Sequence, residues 1–133
     1  KNFNQIVENF LNKSSEPFIL QKFIPEVKKG DKRVLIINGN PVAAVQRIPK
    51  NNDIRSNIHV GGTVFKTKLT ENDLKICDTI KEELIKNKLF FVGIDIIGNY
   101  LTEINVTSPT CIQEIKKISK IDVSRKIWDE LLV

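Results

Sequence analysis

Apolar residues recur at two different periods along this chain, and the switches between periods mark its elements. Phe3, Ile6, Val7, Phe10 and Leu11 repeat at helical spacing, which predicts an amphipathic packing helix over 1–12. Pro17 and Pro25 bracket residues 18–24, a short apolar run read as a buried strand. After a polar turn over 27–31, alternation over 32–37 predicts a strand. It hairpins through Asn38-Gly39, residues that tolerate the positive φ of a tight turn, into a second strand over 41–48. Residues 49–63 are polar and read as a long loop, and loops of that length in a small domain are commonly functional. Thr70 followed by Asp73 opens a helix that runs to about Asn87, with Leu74, Cys77, Ile80, Leu84 and Ile85 facing inward. Two further β-rich runs, 89–97 and 101–107, flank Gly98-Asn99-Tyr100 as a second hairpin. Ser108-Pro109-Thr110 then caps a short helix carrying Ile112, Ile115 and Ile118. A last amphipathic helix over 122–132 packs through Ile127, Trp128 and Leu131. Hairpins and helices in this order predict an α+β fold, mainly antiparallel sheet flanked by helices.

The second hairpin breaks its own apolar pattern with Asp95, Glu103 and Asn105. A two-residue loop places Asp95 and Glu103 on opposite faces of the ribbon. A three-residue loop pairs Asp95 with Glu103 and Gly93 with Asn105 on one face, and this register is the one expected. Like charges directly across a ladder repel unless something positive lies between them. Two carboxylates and an amide oxygen are hard ligands suited to Mg2+ or Mn2+, and so few protein ligands leave room for water and phosphate oxygens. The same spacing also fits an acidic face that meets water or basic neighbours.

The 133 residues, 41% hydrophobic, suffice for one core, so the chain is a single globular unit or a piece of a larger one. A first residue of Lys and the lack of a signal-like or long apolar segment fit an excised fragment. Net charge is +5, but basic residues are scattered among acids. This argues against nucleic acid or a membrane as partner. Cys77 and Cys111 lack metal or redox spacing and fit a reduced cytoplasmic protein, with Cys77 in the core and Cys111 an inert wall residue. His59, the single histidine, reads as surface, so no nucleophile and base pair is evident.

The wording VGIDIIG, LTEINVTSPTCI and, earlier, GDKRVLIINGNPV, RIP and Arg55 followed by Gly61-Gly62 resembles the bacterial glutathione synthetases of the ATP-grasp superfamily over most of the chain after about Phe18. The resemblance implies the C-terminal portion of an ATP-grasp fold: about 1–24 the end of a lid subdomain and its hinge, about 25–133 the catalytic core. It implies that Gln21, Lys22, Phe23 and Ile24 hold adenine, Asp31 lies near the ribose, and Arg33 lies near the peptide substrate. Arg47 and Arg55 would approach the reacting phosphate and the substrate carboxylate, with Asn57 in the same loop. Ser108, Pro109 and Thr110 would border the substrate pocket, and Asp95, Glu103 and Asn105 would bind Mg2+ or Mn2+. Asn51-Asn52-Asp53-Ile54 and Ile58-His59-Val60 depart from the family's lid-loop wording, with fewer small residues.

The implied reaction is ATP-dependent ligation of γ-L-glutamyl-L-cysteine to glycine through an acyl phosphate, by a homo-oligomer when full length and with the isolated fragment inactive. The residues also accommodate another ATP-grasp carboxylate–amine ligase, or a non-catalytic ATP-binding or interaction fragment.

Overall fold

A five-stranded antiparallel sheet forms the centre of the computed structural model, which describes residues 2–49 and 63–132. Its strands are β1 (Asp31–Ile37), β2 (Asn40–Ile48), β3 (Thr63–Lys66), β4 (Phe91–Ile97) and β5 (Tyr100–Asn105), in the order β3-β2-β1-β4-β5. The helices are α1 (Phe3–Leu11), α2 (Glu71–Lys86), α3 (Ile112–Ser119) and α4 (Val123–Leu131). The family-level expectation of an α+β antiparallel sheet with flanking helices is therefore met.

Strand alternation divides the core in two. Val34, Ile36, Ala44, Val92, Ile94 and Ile96 face α2 and pack against Cys77 and Leu84. Leu35, Ile37, Ala43 and Val45 face the other way, against Cys111, Ile115 and Val123 at α3 and α4. Burying each such aliphatic side chain contributes roughly 1.5–3 kcal/mol, so both layers are needed to hold the sheet. Thr70 starts α2 with a reciprocal cap: its hydroxyl accepts from the Asp73 amide at 3.2 Å and the Asp73 carboxylate accepts from the Thr70 amide at 2.7 Å. Lys32, reaching across from β1, pairs with the same carboxylate.

Several expectations are corrected. Residues 18–24 form no strand, and Ile19 and Phe23 are exposed: the run makes no ladder with either edge of the sheet, β3 or β5, so the alternation of its apolar residues is not fixed against a core. α1 forms but buries none of its residues. Phe3, Ile6, Phe10 and Leu11 of its apolar stripe are exposed, and Phe10 meets the Phe18 ring at 4.7 Å. On α2 the inward stripe is Asp73, Ile76, Cys77, Ile80 and Leu84, so Leu74 and Ile85 face solvent. On α4 Val123 is buried and Ile127 packs, while Trp128 and Leu131 are exposed. Ser108 does not cap α3. Cys111 is the residue before it, in a left-handed conformation at φ 85° with no side-chain cap.

Candidate active site

Both hairpins use the same local device. Each has a two-residue loop, Asn38-Gly39 or Gly98-Asn99, and each carries one extra residue a few positions on. Asn38 and Gly39 have φ 48° and 73°, the paired positive values that match hairpin twist. In β2 the extra residue is Val42, just after Pro41, which cannot donate to the ladder. In β5 it is Thr102, whose hydroxyl donates to the Asp95 carbonyl at 3.0 Å. The expected three-residue loop is thus replaced by a tighter turn and a bulge, yet the pairing is the one expected: Asp95 opposite Glu103, Gly93 opposite Asn105. The first bulge does the same on the other side of the sheet, setting Arg47 opposite Asp31 where an unbroken ladder would set Gln46.

The consequence is one polar end on the α3/α4 face. Asp31 and Arg33 of β1, Arg47 of β2, Asp95 of β4 and Glu103 of β5 share that face because Asp31 pairs with Arg47, Arg33 with Asp95, and Asp95 with Glu103. Arg33 Nε donates to Asp95 Oδ1 at 2.5 Å and Nη2 to Oδ2 at 2.8 Å. Arg47 grips Asp31 in the same fork, at 2.7 Å for both bonds, and its Nη2 stands 2.8 Å from Asp95 Oδ2. All four residues are buried, so the charges are compensated locally. Burial opposes the charge on Arg47, but the Asp31 hydrogen bond and the field of Asp95 outweigh it, and its pKa is raised. Arg33 Nη1 also reaches Thr110 Oγ1 at 3.4 Å, tying the sheet to the turn before α3.

Glu103 is exposed and has no hydrogen bond or ion pair among the described residues, whereas Asn105 is half-buried with its Nδ2 unpaired. An ionised carboxylate offers about four acceptor positions. The arginines take three on Asp95, leaving one on Oδ1. Among the described residues no three His, Cys, Asp or Glu side chains gather for a metal. A hard cation here would therefore draw on Asp95, Glu103 and the Asn105 amide, with water or phosphate oxygens completing its shell. The donor chemistry fits such an ion.

Of the other expected site residues, Gln21, Lys22, Phe23 and Ile24 line a cavity of about 500 Å³ with Pro25, Glu26, Tyr100, Leu101 and Thr102. The bulge residue thus borders this cavity and precedes Glu103. Pro109 and Thr110 line a second cavity of about 390 Å³ with Cys111 and the start of α3, and Ser108 is exposed. Arg55 and Asn57, with most of the expected loop, lie outside the described residues. Cys111 is buried. Burial raises its thiol pKa despite the Thr110 contact and the nearby arginines, which does not favour a nucleophile. The joining of Asp31, Arg47, Asp95 and Arg33 into one ion network was missed from sequence, as were Tyr100 and Thr102 in the cavity wall. Pro41 beside an Asn-Gly turn was the one readable sign of a bulge.

The family model for the prokaryotic glutathione synthetase ATP-grasp domain matches residues 1–120. A glutathione synthetase of Agrobacterium fabrum is 47% identical over 131 residues, covering 98% of this chain and 41% of that protein. Those of Synechocystis sp. and Prochlorococcus marinus are 45% and 46% identical over 127 residues, covering 96% of this chain and 40% and 41% of their own lengths. The chain spans about two fifths of the length of these curated relatives.

Proposed function

The chain belongs to the prokaryotic glutathione synthetase family of ATP-grasp domains, and from that membership we propose that it supplies the metal- and phosphate-binding half of an enzyme ligating γ-L-glutamyl-L-cysteine to glycine. ATP phosphorylates the dipeptide's glycyl-accepting carboxylate to an acyl phosphate, and the glycine amine displaces phosphate through a tetrahedral intermediate. The observation that supports this best is the single face shared by Asp95, Glu103 and Asn105 with Arg33 and Arg47. Mg2+ or Mn2+ held by Asp95, Glu103 and Asn105 would neutralise charge on the β- and γ-phosphates. Arg47 and Arg55 stabilise the transferring phosphoryl group and the anionic intermediate, and Arg33 orients an anionic group of the dipeptide. Gln21, Lys22, Phe23 and Ile24 enclose adenine in the cavity they line, Asp31 serves the ribose, and Asn57, Ser108, Pro109 and Thr110 border the peptide. Residues 1–24 act as lid end and hinge, and 25–133 as catalytic core.

The partners proposed are small molecules, with the full-length protein a cytoplasmic homo-oligomer. Two free, buried cysteines agree with a reducing compartment. No helix among the described residues is long and apolar enough to cross a membrane.

The test is ADP and glutathione formation by the full-length protein with ATP, Mg2+, γ-glutamylcysteine and glycine. ADP release that requires the dipeptide, and is lost in Asn105→Ala, is expected. Release driven equally by unrelated carboxylates overturns the substrate assignment, and release that survives Asn105→Ala at ordinary Mg2+ removes the metal assignment.

A further inference from the structure

Gly93 is the only position of β4 on the site face without a side chain, and the sheet gives it no positive φ to require glycine. Ala is the better strand residue, so a glycine here calls for a close neighbour above it. Two neighbours are present. A Cβ on Gly93 would stand 2.7 Å from Pro109 Cβ, 3.3 Å from Arg33 Cδ and 3.4 Å from Arg33 Nη1. Arg33 is the residue that forks onto Asp95 and reaches Thr110, and Pro109 belongs to the turn that leads into α3. Asn105, with its unpaired Nδ2, is the ladder partner of Gly93 on the other side.

We infer that Gly93 is a positioning residue: the missing side chain is a seat on which Arg33 and the 108–110 turn rest together, and it sets how far both stand above the row of Asp95 and Glu103. Its bearing on substrate rests on the ligase reading above, in which Arg33 and the turn meet the dipeptide. A methyl group on Gly93 drives Pro109 outward by about 1 Å, a displacement that can cost on the order of a hundredfold when it separates positioning groups from a substrate. The nucleotide-side residues Gln21 to Ile24 line a different cavity. The closest collision is with Pro109 rather than Arg33, so the effect falls more on dipeptide use than on ATP use.

The experiment compares full-length wild type, Gly93→Ala, Pro109→Gly and the double variant. The first readout needs no activity: maleimide labelling followed by peptide mass mapping. Cys111 is buried beside Pro109 and Thr110, whereas Cys77 is buried on the inner side of α2, against the opposite face of the sheet, and serves as the internal control. Gly93→Ala is expected to speed Cys111 labelling roughly tenfold without changing Cys77 labelling, and to raise KM for γ-glutamylcysteine by a similar factor, more than it raises KM for ATP. Pro109→Gly removes the colliding Cβ, so Gly93→Ala added to Pro109→Gly is expected to leave both values where Pro109→Gly alone sets them. A folded Gly93→Ala protein with unchanged Cys111 labelling overturns the inference. So does a double variant that departs from Pro109→Gly as far as Gly93→Ala departs from wild type, including one that stays unfolded when Gly93→Ala alone does not fold. If the full-length protein makes no glutathione, the ligase reading fails, while the labelling result still decides the role of Gly93.

Discussion

Asp95 and Glu103 face each other across β4 and β5 but stand in different surroundings, and that difference separates two kinds of loss. Asp95 is buried under two guanidinium groups, and Glu103 is exposed. Asp95→Ala in the full-length protein is expected to abolish ligation and also to lower unfolding free energy by about 3–5 kcal/mol, since it leaves Arg33 and Arg47 buried and short of a partner. Glu103→Gln is expected to abolish ligation with stability held within about 0.5 kcal/mol, as for an exposed side chain outside any network. Denaturant titration beside an ADP assay reads both. The carboxylates and the amide were legible because their pairing depends on one short hairpin. Arg33 and Arg47 were named through the family wording, but their grip on Asp95 was not legible, because Arg33 and Asp95 are 62 residues apart and meet only when β1 and β4 become neighbours.

Among elements, the β5 bulge and the start of α2 carry the clearest consequences. The Thr102 hydroxyl bonds to the main chain of Asp95, so Thr102→Val is expected to lower stability by about 1 kcal/mol and to raise the Mg2+ concentration needed for half-maximal turnover. An unchanged Mg2+ requirement would separate the bulge from the metal site. At α2, burial works against the Asp73 carboxylate, but the Lys32 and Thr70 hydrogen bonds prevail and hold its pKa below the ordinary value. A depressed native pKa gives stability that is complete above the unfolded-state value of about 4 and is lost as pH falls through the native value. Lys32→Met is therefore expected to flatten the acid side of the thermal stability profile below about pH 4. The α2 cap was readable from Thr70 and Asp73 alone, whereas β3 was not read: its first residue, Thr63, closed the expected loop, and four residues ending in Lys carry little alternation.

At the scale of the whole molecule, the sheet is covered on both faces while the amino-terminal segment is not. Phe3, Ile6, Leu11, Ile19, Leu20 and Phe23 are each more than half exposed. An exposed apolar helix stripe followed by further exposed apolar residues is the kind of surface that association covers. The isolated 133-residue chain is thus expected to bind an apolar dye and to associate with rising concentration, and a chain starting at Pro25 to do so less. Sedimentation and dye fluorescence measure this, and equal behaviour of the two would place the association elsewhere. The helical period of α1 was legible from sequence. What the stripe meets was not, since periodicity reports a face and never its partner.

The twin bulges at Val42 and Thr102 also bear on how such sequences vary in length. Each bulge fixes the parity of the strand beyond it, so one inserted or deleted residue near either tip would turn every following side chain to the opposite layer. Gaps between homologous sequences at these two tips should accordingly come in even steps, or in odd steps that coincide with the gain or loss of the bulge.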